Sequence, residues 1–243
     1  VLDVLHDTTH FPVTLTVSGT PVNRGEKLLQ QSMHTWGRHV REQYSFVWDV
    51  FGLQLYSEVL ACDAPREHSE TFEQHTMLML DLPCGVRQCT LHDCLDLMTQ
   101  PEILHDWKGT LNDTPRTVER RTHLWKLPQI LVVQLKRFHN PYVKNNCAVQ
   151  LHARLDVKDY VRRDEPTGTA YELYFIAHHE GALQGGHYYG DGKNSQHTWH
   201  RYNDSAVSAV EMTDGGHSSS AADGSQMSAH WVGFCEPWVS RTH

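Results

Sequence analysis

The sequence predicts an α+β fold, with helices in the first part of the chain and antiparallel sheet in the rest. Residues 26–43 place Leu29, Met33, Trp36 and Val40 at spacings of three and four, which is the apolar stripe of an amphipathic helix. The second half instead carries short β-branched and aromatic segments separated by Gly, Asn and Asp, the pattern of strands joined by turns. These segments are residues 175–177, 187–189, 198–202 and 231–235.

Further elements are predicted between these two regions and near the end of the chain. Residues 76–82 alternate in polarity, as a half-buried strand does. Thr90 and Asp93 have the form of a capping box and predict the start of a short helix. Residues 130–135 are nearly all apolar and β-branched, which predicts a central strand covered on both faces. Residues 212–228 are rich in Gly, Ser, Ala and Asp without periodicity, so we expect a flexible surface loop.

Composition narrows the class of protein. A chain of 243 residues with 39% hydrophobic and 21% charged residues has globular values and can bury a sizeable core. The sequence contains neither an apolar run of membrane-spanning length nor a signal peptide, so we expect no membrane partner. The net charge of −8 opposes nucleic-acid binding. Six scattered cysteines favour reduced thiols and a cytoplasmic or nuclear location.

A histidine that follows two glycines is the main candidate for chemistry. The glycines let backbone approach a substrate closely. An Asn-Asp pair follows the histidine by 16 residues, which is enough for one strand, a turn and a return strand. A Cys-His-Asn protease needs this arrangement, because the amide orients the imidazole that takes the thiol proton. The candidate site residues are Gly185, Gly186, His187, Tyr188, Asn203 and Asp204.

Four sequence blocks, in order, resemble those of one enzyme family. Residues 49–57 (DVFGLQLYS) are similar to the pattern DLFxGxxxS, and residues 90–95 (TLHDCL) are similar to its slxdcL segment. Residues 127–138 (LPQILVVQLKRF) resemble LPxxLxxxLKRF, and residues 199–207 (WHRYNDSAV) resemble WxxFNDxxV. The chain thus resembles the ubiquitin-specific proteases, which are papain-like cysteine deubiquitinases. The resemblance covers residues 49–235, and four ordered blocks are far more specific than any one of them.

The resemblance implies a papain-like ubiquitin-specific protease fold with an antiparallel-sheet palm and fingers. It implies that residues 1–243 form a single, partial catalytic domain whose N-terminal thumb lobe is largely missing. Residues 1–48 would be a remnant of the helical thumb, 49–126 the fingers and 127–243 the palm with the histidine box. Residues 140–146 would begin a blocking loop.

The resemblance also implies roles for the site residues. The activity would be hydrolysis of the isopeptide bond after the C-terminal glycine of ubiquitin, with ubiquitin and ubiquitinated proteins as partners. Asn203 would orient His187, and Asp204 would polarise the oxyanion region or support that orientation. Gly185, Gly186 and Tyr188 would bind the Gly-Gly tail. The alternatives are a satisfied core histidine at position 187 and a plain turn at the Asn-Asp pair.

The nucleophilic cysteine of the family is not found in this sequence. The family carries it in an N-terminal N-x-G-N-T-C box, and none of the six cysteines here follows a Gly-Asn turn that begins a helix. Cys94 falls on the apolar face of the predicted short helix, where a buried thiol acts as a small hydrophobe. We therefore expect the isolated chain to be inactive and to work with a separate N-terminal lobe. The alternative is a catalytically inactive ubiquitin-binding or scaffold domain.

Most of the family's zinc ligands are also missing from this sequence, so we expect no metal and no cofactor. Family fingers often hold zinc with two Cys-x-x-Cys pairs, but here only Cys62 stands at the first place, and residues 107–112 contain no cysteine. Histidine-rich sequence offers a rival site, although such composition is more typical of polar surface. The rival ligands are His178, His179, His197 and His200.

The absence of three of the four finger thiolates yields a direct prediction. Elemental analysis of the purified chain is expected to find no stoichiometric zinc, and a chelator is expected to leave the thermal unfolding temperature unchanged, because a structural metal couples strongly to folding. One tightly held zinc per chain would contradict this and direct attention to the four histidines.

Overall fold

The structure is a computed structural model that describes residues 2–64, 68–109, 112–140, 143–163, 168–182, 185–211 and 228–235. Its helices are α1 (Leu2–Thr9), α2 (Arg24–Val40), α3 (Phe46–Phe51) and α4 (Leu91–Thr99), with a 3₁₀ turn at Lys158–Tyr160. The first strands are β1 (Leu53–Ala61), β2 (His68–His75), β3 (Leu78–Asp81), β4 (Gln88–Thr90), β5 (Glu102–Gly109), β6 (Asn112–Lys126), β7 (Ile130–Lys136) and β8 (Phe138–Asn140). The remaining strands are β9 (Val143–Lys144), β10 (Ala148–Gln150), β11 (Arg154–Asp156), β12 (Ala170–Ala182), β13 (Gly185–Lys193), β14 (Trp199–Asn203), β15 (Ala206–Ala209) and β16 (Ser228–Cys235).

The chain divides into two compact units, each assembled from separate stretches of sequence. The first comprises Val1–Thr76, Thr99–Gln129 and Tyr160–Thr167, and the second comprises Met77–Met98, Ile130–Asp159 and Gly168–His243. The division into thumb, fingers and palm stays a prediction.

The first unit is built on an antiparallel sheet with the strand order β2-β1-β6-β5. Its aromatic cluster consists of Tyr56, Phe72 and Trp125, and α2 packs Leu28 and Leu29 against it. The predicted amphipathic helix is therefore present, and Asn23 caps it by accepting a hydrogen bond from the Glu26 backbone N–H at 2.8 Å.

The buried face of α2 differs from the predicted stripe at one position. Met33 is 46% exposed, whereas Ser32 is 5% exposed. The Ser32 hydroxyl donates to Gln54 Oε1 at 2.8 Å and accepts from Trp125 Nε1 at 2.7 Å, and Gln54 Nε2 donates back to the Ser32 carbonyl at 3.2 Å. Because the buried Ser32 hydroxyl both donates and accepts a hydrogen bond, it avoids the free-energy cost of burying an unpaired polar group.

The second unit contains a large sheet with the order β15-β14-β13-β12-β16-β7-β3, and β11 pairs with β12. Its pairings are antiparallel, as predicted, except that β3 runs parallel to β7 at the edge. The predicted central strand is β7, but it is not equally covered on both faces. Leu131, Val133 and Leu135 are buried, while the residues between them are only half-buried.

The helix α4 begins as the capping box predicts. The Asp93 carboxylate accepts from the Thr90 backbone N–H at 2.6 Å, and the Asp93 backbone N–H donates to the Thr90 hydroxyl at 3.2 Å. These reciprocal bonds satisfy donors that a helix start leaves open. Cys94 is fully buried, with Leu91 and Leu95 on the same face, which agrees with its predicted packing role.

A fully buried arginine ties three segments of the second unit together. Arg137 follows β7 and is 0% exposed. Its Nε donates to the Ala229 carbonyl at 2.6 Å, and its Nη1 donates to the carbonyls of Asn145 at 3.0 Å and Cys147 at 2.8 Å. Burial lowers the pKa of Arg137 to about 10, so the guanidinium stays charged at neutral pH. Removal of this cation would leave several buried carbonyls without a donor.

Two sequence-based predictions fall wholly or partly on undescribed residues. The loop predicted at 212–228 lies outside the described residues except for Ser228, which begins β16. Of the predicted blocking loop, residues 141–142 lie outside the described part, and β8 pairs with β9 in antiparallel fashion on either side. Among the described helices, none is long and apolar enough to cross a membrane.

His230 is a buried histidine in β16 that is expected to be neutral. It is 7% exposed, its ring meets the edge of Trp231 at 4.5 Å, and its Nδ1 is buried without a hydrogen-bond partner in the structure. Burial first, and then the neighbouring His179, Arg137 and Lys144, lower the pKa of His230 to about 4. An unfolded histidine titrates near pH 6.5, at about the value of a free side chain.

This depressed pKa predicts acid sensitivity in a defined window. Between about pH 6.5 and 4 the unfolded state binds the proton that folded His230 excludes, so the free energy of unfolding decreases as pH falls, by up to about 3 kcal/mol. His230→Phe is expected to remove this part of the pH dependence, as measured by urea unfolding across the window. His34→Phe on the exposed side of α2 is the matched control. Parallel pH profiles for His230→Phe and the native chain would contradict the assignment.

Candidate active site

The predicted strand, turn and return strand form the hairpin of β13 and β14. The two strands are antiparallel, with Asp191 opposite Arg201 and Gly190 opposite Tyr202. Asn194 closes the turn, because its side-chain oxygen accepts from the Thr198 backbone N–H at 3.0 Å while its own N–H donates to the Thr198 carbonyl at 2.9 Å. This fold-back returns the Asn-Asp pair to the end of β13 that carries the histidine.

The side chains of His187 and Asn203 are in direct contact. His187 Nε2 lies 2.5 Å from Asn203 Oδ1. An amide oxygen can only accept, so Nε2 carries the proton and donates it, and Nδ1 keeps its lone pair. The His187 side chain is 46% exposed. The hydrogen-bond contact expected of a base and its orienting residue is present.

Asp204 lies at the margin of this pair. Its Oδ2 is 4.0 Å from His187 Nε2, and its side chain is 82% exposed. Its backbone has φ of +50°, in the left-handed region that Asn and Asp tolerate better than most residues. A carboxylate at this distance and exposure adds weak electrostatic support to the imidazole, and its role at the oxyanion stays a prediction.

The two glycines before His187 have different surroundings. A Cβ on Gly186 would stand 2.3 Å from His179 Nε2 and 2.4 Å from the Glu180 carbonyl, so only glycine fits there. A Cβ on Gly185 would have nothing within 4 Å. Packing inside the hairpin of β12 and β13 thus requires Gly186, while Gly185 borders open space. Binding of a substrate tail by these glycines stays a prediction.

Tyr188 points away from His187, since successive side chains of a strand lie on opposite faces. Its ring lies 4.5 Å from the ring of His179, which is directly opposite it, and stacks on Trp231 at 5.6 Å. The structure therefore brings His187 and Asn203 together but places the Tyr188 ring on the other face of the sheet. Tyr188 is 48% exposed, so part of its ring is accessible from that face.

Lys144 binds the end of β12, the strand that pairs with the His187-bearing strand β13. This lysine was not identified from the sequence as a candidate residue. Its ammonium donates to the carbonyls of His179 at 2.8 Å and Gly181 at 3.2 Å, and lies 3.2 Å from His179 Nδ1. Burial and the charge of Lys144 lower the pKa of His179, which favours the neutral ring. His179 is 4% exposed and packs against the ring of Tyr188. The only sequence signal for Lys144 was a lone basic residue in a predicted loop.

Two buried cysteines of the chain, Cys89 and Cys147, are not activated thiols. Cys89, Cys94 and Cys147 are buried, with Sγ atoms of Cys89 and Cys147 3.5 Å apart. Burial raises the pKa of Cys147 to about 12, and a hydrogen bond with Cys94 raises that of Cys89 further. Such thiols stay protonated at neutral pH and are poor nucleophiles.

In the described ranges, no group of three or more His, Cys, Asp or Glu side chains is arranged so that it could hold a metal ion. Of the rival histidine ligands, His178 instead contacts the Asp191 carboxylate, with Nε2 3.0 Å from Oδ2.

Comparisons with known proteins identify the family of the chain. The family model described as "Ubiquitin carboxyl-terminal hydrolase" matches residues 24–228. Ubiquitin carboxyl-terminal hydrolase 21 of Homo sapiens is 31% identical over 209 residues, which are 79% of this chain and 36% of that protein. Ubiquitin carboxyl-terminal hydrolase 5 of Saccharomyces cerevisiae is 32% identical over 173 residues, which are 63% of this chain and 21% of that protein.

A solved structure shows the same fold. The SAGA Ubp8/Sgf11/Sus1/Sgf73 DUB module bound to ubiquitin aldehyde contains a chain that matches with a TM-score of 0.62 and 22% identity, covering 86% of this chain and 48% of that one. The chain spans less than half the length of each of these three proteins. Its fold is the α+β fold of ubiquitin-specific proteases, as predicted. From the match over residues 24–228, the chain belongs to the ubiquitin carboxyl-terminal hydrolase family.

Proposed function

We propose that this domain supplies the base and its orienting amide to a thiol-dependent deubiquitinase that hydrolyses the isopeptide bond after the C-terminal glycine of ubiquitin. The observation that carries the proposal is the hydrogen bond from His187 Nε2 to Asn203 Oδ1. That bond leaves Nδ1 as the proton acceptor on an exposed ring, which is the form a cysteine protease requires.

The chemistry follows from that tautomer. His187 Nδ1 takes the proton of a cysteine thiol, and the thiolate sulfur attacks the isopeptide carbonyl carbon. The tetrahedral intermediate collapses as the C–N bond breaks, and the imidazolium returns its proton to the leaving lysine amine. His187 then takes a proton from water, whose oxygen displaces the sulfur from the thioester. Asn203 holds the ring in place through both half-reactions, and the Asp204 carboxylate lies 4.0 Å from His187 Nε2.

The nucleophilic cysteine of the proposed enzyme comes from outside these 243 residues. The pKa values of the Cys89 and Cys147 thiols are raised, and no cysteine of the chain stands in the family's Cys box. An N-terminal lobe with that box would face His187 Nδ1. We place the assembled enzyme in the cytoplasm or nucleus, in keeping with six unpaired cysteines.

Ubiquitin is the proposed partner, and its Gly-Gly tail the proposed ligand of the open space beside Gly185. A tail without side chains can approach backbone closely, and Gly185 presents only backbone to that open space. The likeness to a DUB module bound to ubiquitin aldehyde supports this choice of partner. The net charge of −8 suits the arginines of the C-terminal segment of ubiquitin that carries the Gly-Gly tail.

A non-catalytic ubiquitin-binding scaffold is the second candidate. It is favoured by the lack of a Cys box in the sequence and by the single remaining finger ligand, Cys62. It does not explain the hydrogen-bonded pair of His187 and Asn203, because a binding surface needs no oriented imidazole. Enzyme and scaffold differ in one measurable respect, which is turnover after a Cys-bearing lobe is supplied.

The 243-residue chain alone is expected to be inert toward a fluorogenic ubiquitin substrate and unreactive with a thiol-directed ubiquitin probe, because it supplies the base without the nucleophile. The chain extended by the upstream segment of its parent polypeptide, with the cysteine, is expected to gain both activities. An extended protein that binds ubiquitin and stays inactive, or an upstream segment without such a cysteine, would establish the scaffold instead.

In the active, extended protein, His187→Ala is expected to lower kcat by roughly a thousandfold or more, because members of a catalytic triad act as a unit. The affinity for ubiquitin, measured by calorimetry, is expected to stay nearly unchanged. His197→Asn is the matched control, since this exposed histidine lies in the turn of the same hairpin at φ of +61°, where asparagine is tolerated. Equal losses of kcat in both variants would refute the role of His187.

A further inference from the structure

The strand that carries His187 has few side chains with which to fix its own register. Four of the nine residues of β13 are glycine. The Phe175 ring packs closely over two of them, because a Cβ on Gly190 would lie 2.8 Å from its Cζ and one on Gly192 would lie 3.3 Å from its Cδ2, so that either would force the ring to shift. Glycine-rich strands specify register weakly and are prone to slip. Some other interaction must hold β13 in place between β12 and β14.

Asp191 makes that interaction from the middle of the glycine-rich segment. Its Oδ1 accepts from Arg201 Nε at 2.8 Å, and its Oδ2 accepts from Arg201 Nη2 at 2.9 Å. His178 Nε2 lies 3.0 Å from the same Oδ2. Arg201 belongs to β14 and His178 to β12, so one carboxylate on β13 is bonded to both neighbouring strands. The bidentate fork with arginine also fixes orientation, which a single bond does not.

This polar cluster is buried, which makes its geometry demanding. The side chains of Asp191 and His178 are 0% exposed and that of Arg201 is 28% exposed. Burial alone would raise the pKa of Asp191, but hydrogen bonds from Arg201 and His178 hold it well below its usual range. The Tyr189 ring contacts both partners, stacked on His178 at 4.7 Å and lying 4.8 Å below the guanidinium of Arg201. A buried carboxylate left without these donors would be strongly destabilising.

The same register decides whether Asn203 meets His187. Arg201 stands directly opposite Asp191, and Asn203 follows Arg201 by two residues, so both project to one face of the hairpin. His187 precedes Asp191 by four residues and lies on that face as well. A slip of one residue between β13 and β14 would turn Asn203 to the opposite face. The hydrogen bond to His187 therefore depends on the pairing of Asp191 with Arg201.

We propose that Asp191 is a positioning residue of the active site, whose buried carboxylate fixes β13 against β12 and β14 and thereby holds Asn203 beside His187. Its effect on turnover rests on the proposed function, whereas its effect on the contact between His187 and Asn203 does not. Asp191 touches neither the base nor its orienting amide in this role and acts through the strands that carry them.

The first measurement uses the 243-residue chain and needs no enzymatic activity. In Asp191→Asn the side chain keeps its shape but loses its charge and one acceptor, so the fork with Arg201 is broken. NMR is expected to show a folded chain in which nuclear Overhauser contacts between the His187 ring and the Asn203 amide are lost. Backbone amides of β13 and β14 are expected to exchange at least about tenfold faster, because local opening becomes easier.

The matched control is Ser32→Ala, which removes a buried hydrogen-bonding group of the first unit with partners in Gln54 and Trp125. It is expected to lower the unfolding temperature while the contact between His187 and Asn203 and the exchange of the hairpin stay native. If Asp191→Asn does not fold, Arg201→Lys carries the same expectation, since lysine keeps the charge but not the fork. Native contacts in the folded variant would overturn the proposal.

The second measurement is a double-mutant cycle in the Cys-bearing, active protein. Asp191→Asn is expected to lower kcat about tenfold to a hundredfold with little change in KM, as misplacement of a catalytic group does. In an Asn203→Ala background the same substitution is expected to have almost no further effect on kcat, because its route to His187 is already cut. Independent, multiplying effects would show a merely structural role. An extended protein without any activity would refute the proposed function, and the NMR result would still decide the role of Asp191.

Discussion

The site depends on the register of one glycine-rich strand. β13 carries glycines where the side chains of Phe175 and His179 pack against it. A strand with so few side chains makes few contacts that could fix the position of an imidazole. Polar contacts between β13 and its neighbouring strands, and a lysine bound to the end of β12, meet this constraint. Asp191 is bonded to β12 and β14, and Lys144 binds the carbonyls of His179 and Gly181 at the bend before β13. The position of His187 is thus set by residues that are not adjacent to it in sequence.

Features carried by local sequence could be predicted. The capping box of Thr90 and Asp93 forms as expected, since both partners lie within four residues. The approach of Asn203 to His187 was also predictable, because a spacing of 16 residues and a turn at Asn194 leave few other paths for the chain. Fold class and family followed from ordered blocks of residues, each of which records a local structural need.

Features made by distant partners could not be predicted. Ser32 is buried in place of Met33 because its partners Gln54 and Trp125 lie 22 and 93 residues away. Arg137 is buried because its acceptors lie on other segments, one of them the Ala229 carbonyl 92 residues downstream. The ring of Tyr188 lies on the face of the strand opposite to His187, and the predicted role of Tyr188 in substrate binding stays a prediction. In each case the sequence shows a polar or aromatic residue, but its burial and the face on which it lies depend on residues far away in the sequence.

The position of β16 has a consequence for how the chain acquires its structure. It is the most C-terminal strand described, yet it lies inside the sheet, between β12 and β7. Until residues 228–235 arrive, β12 with its hairpins and β7 with β3 are separate pieces with open edges, and the Arg137 guanidinium lacks its acceptor at Ala229. On a ribosome the sheet therefore closes last, from its centre, and the unfinished edges are exposed to wrong pairing during that interval.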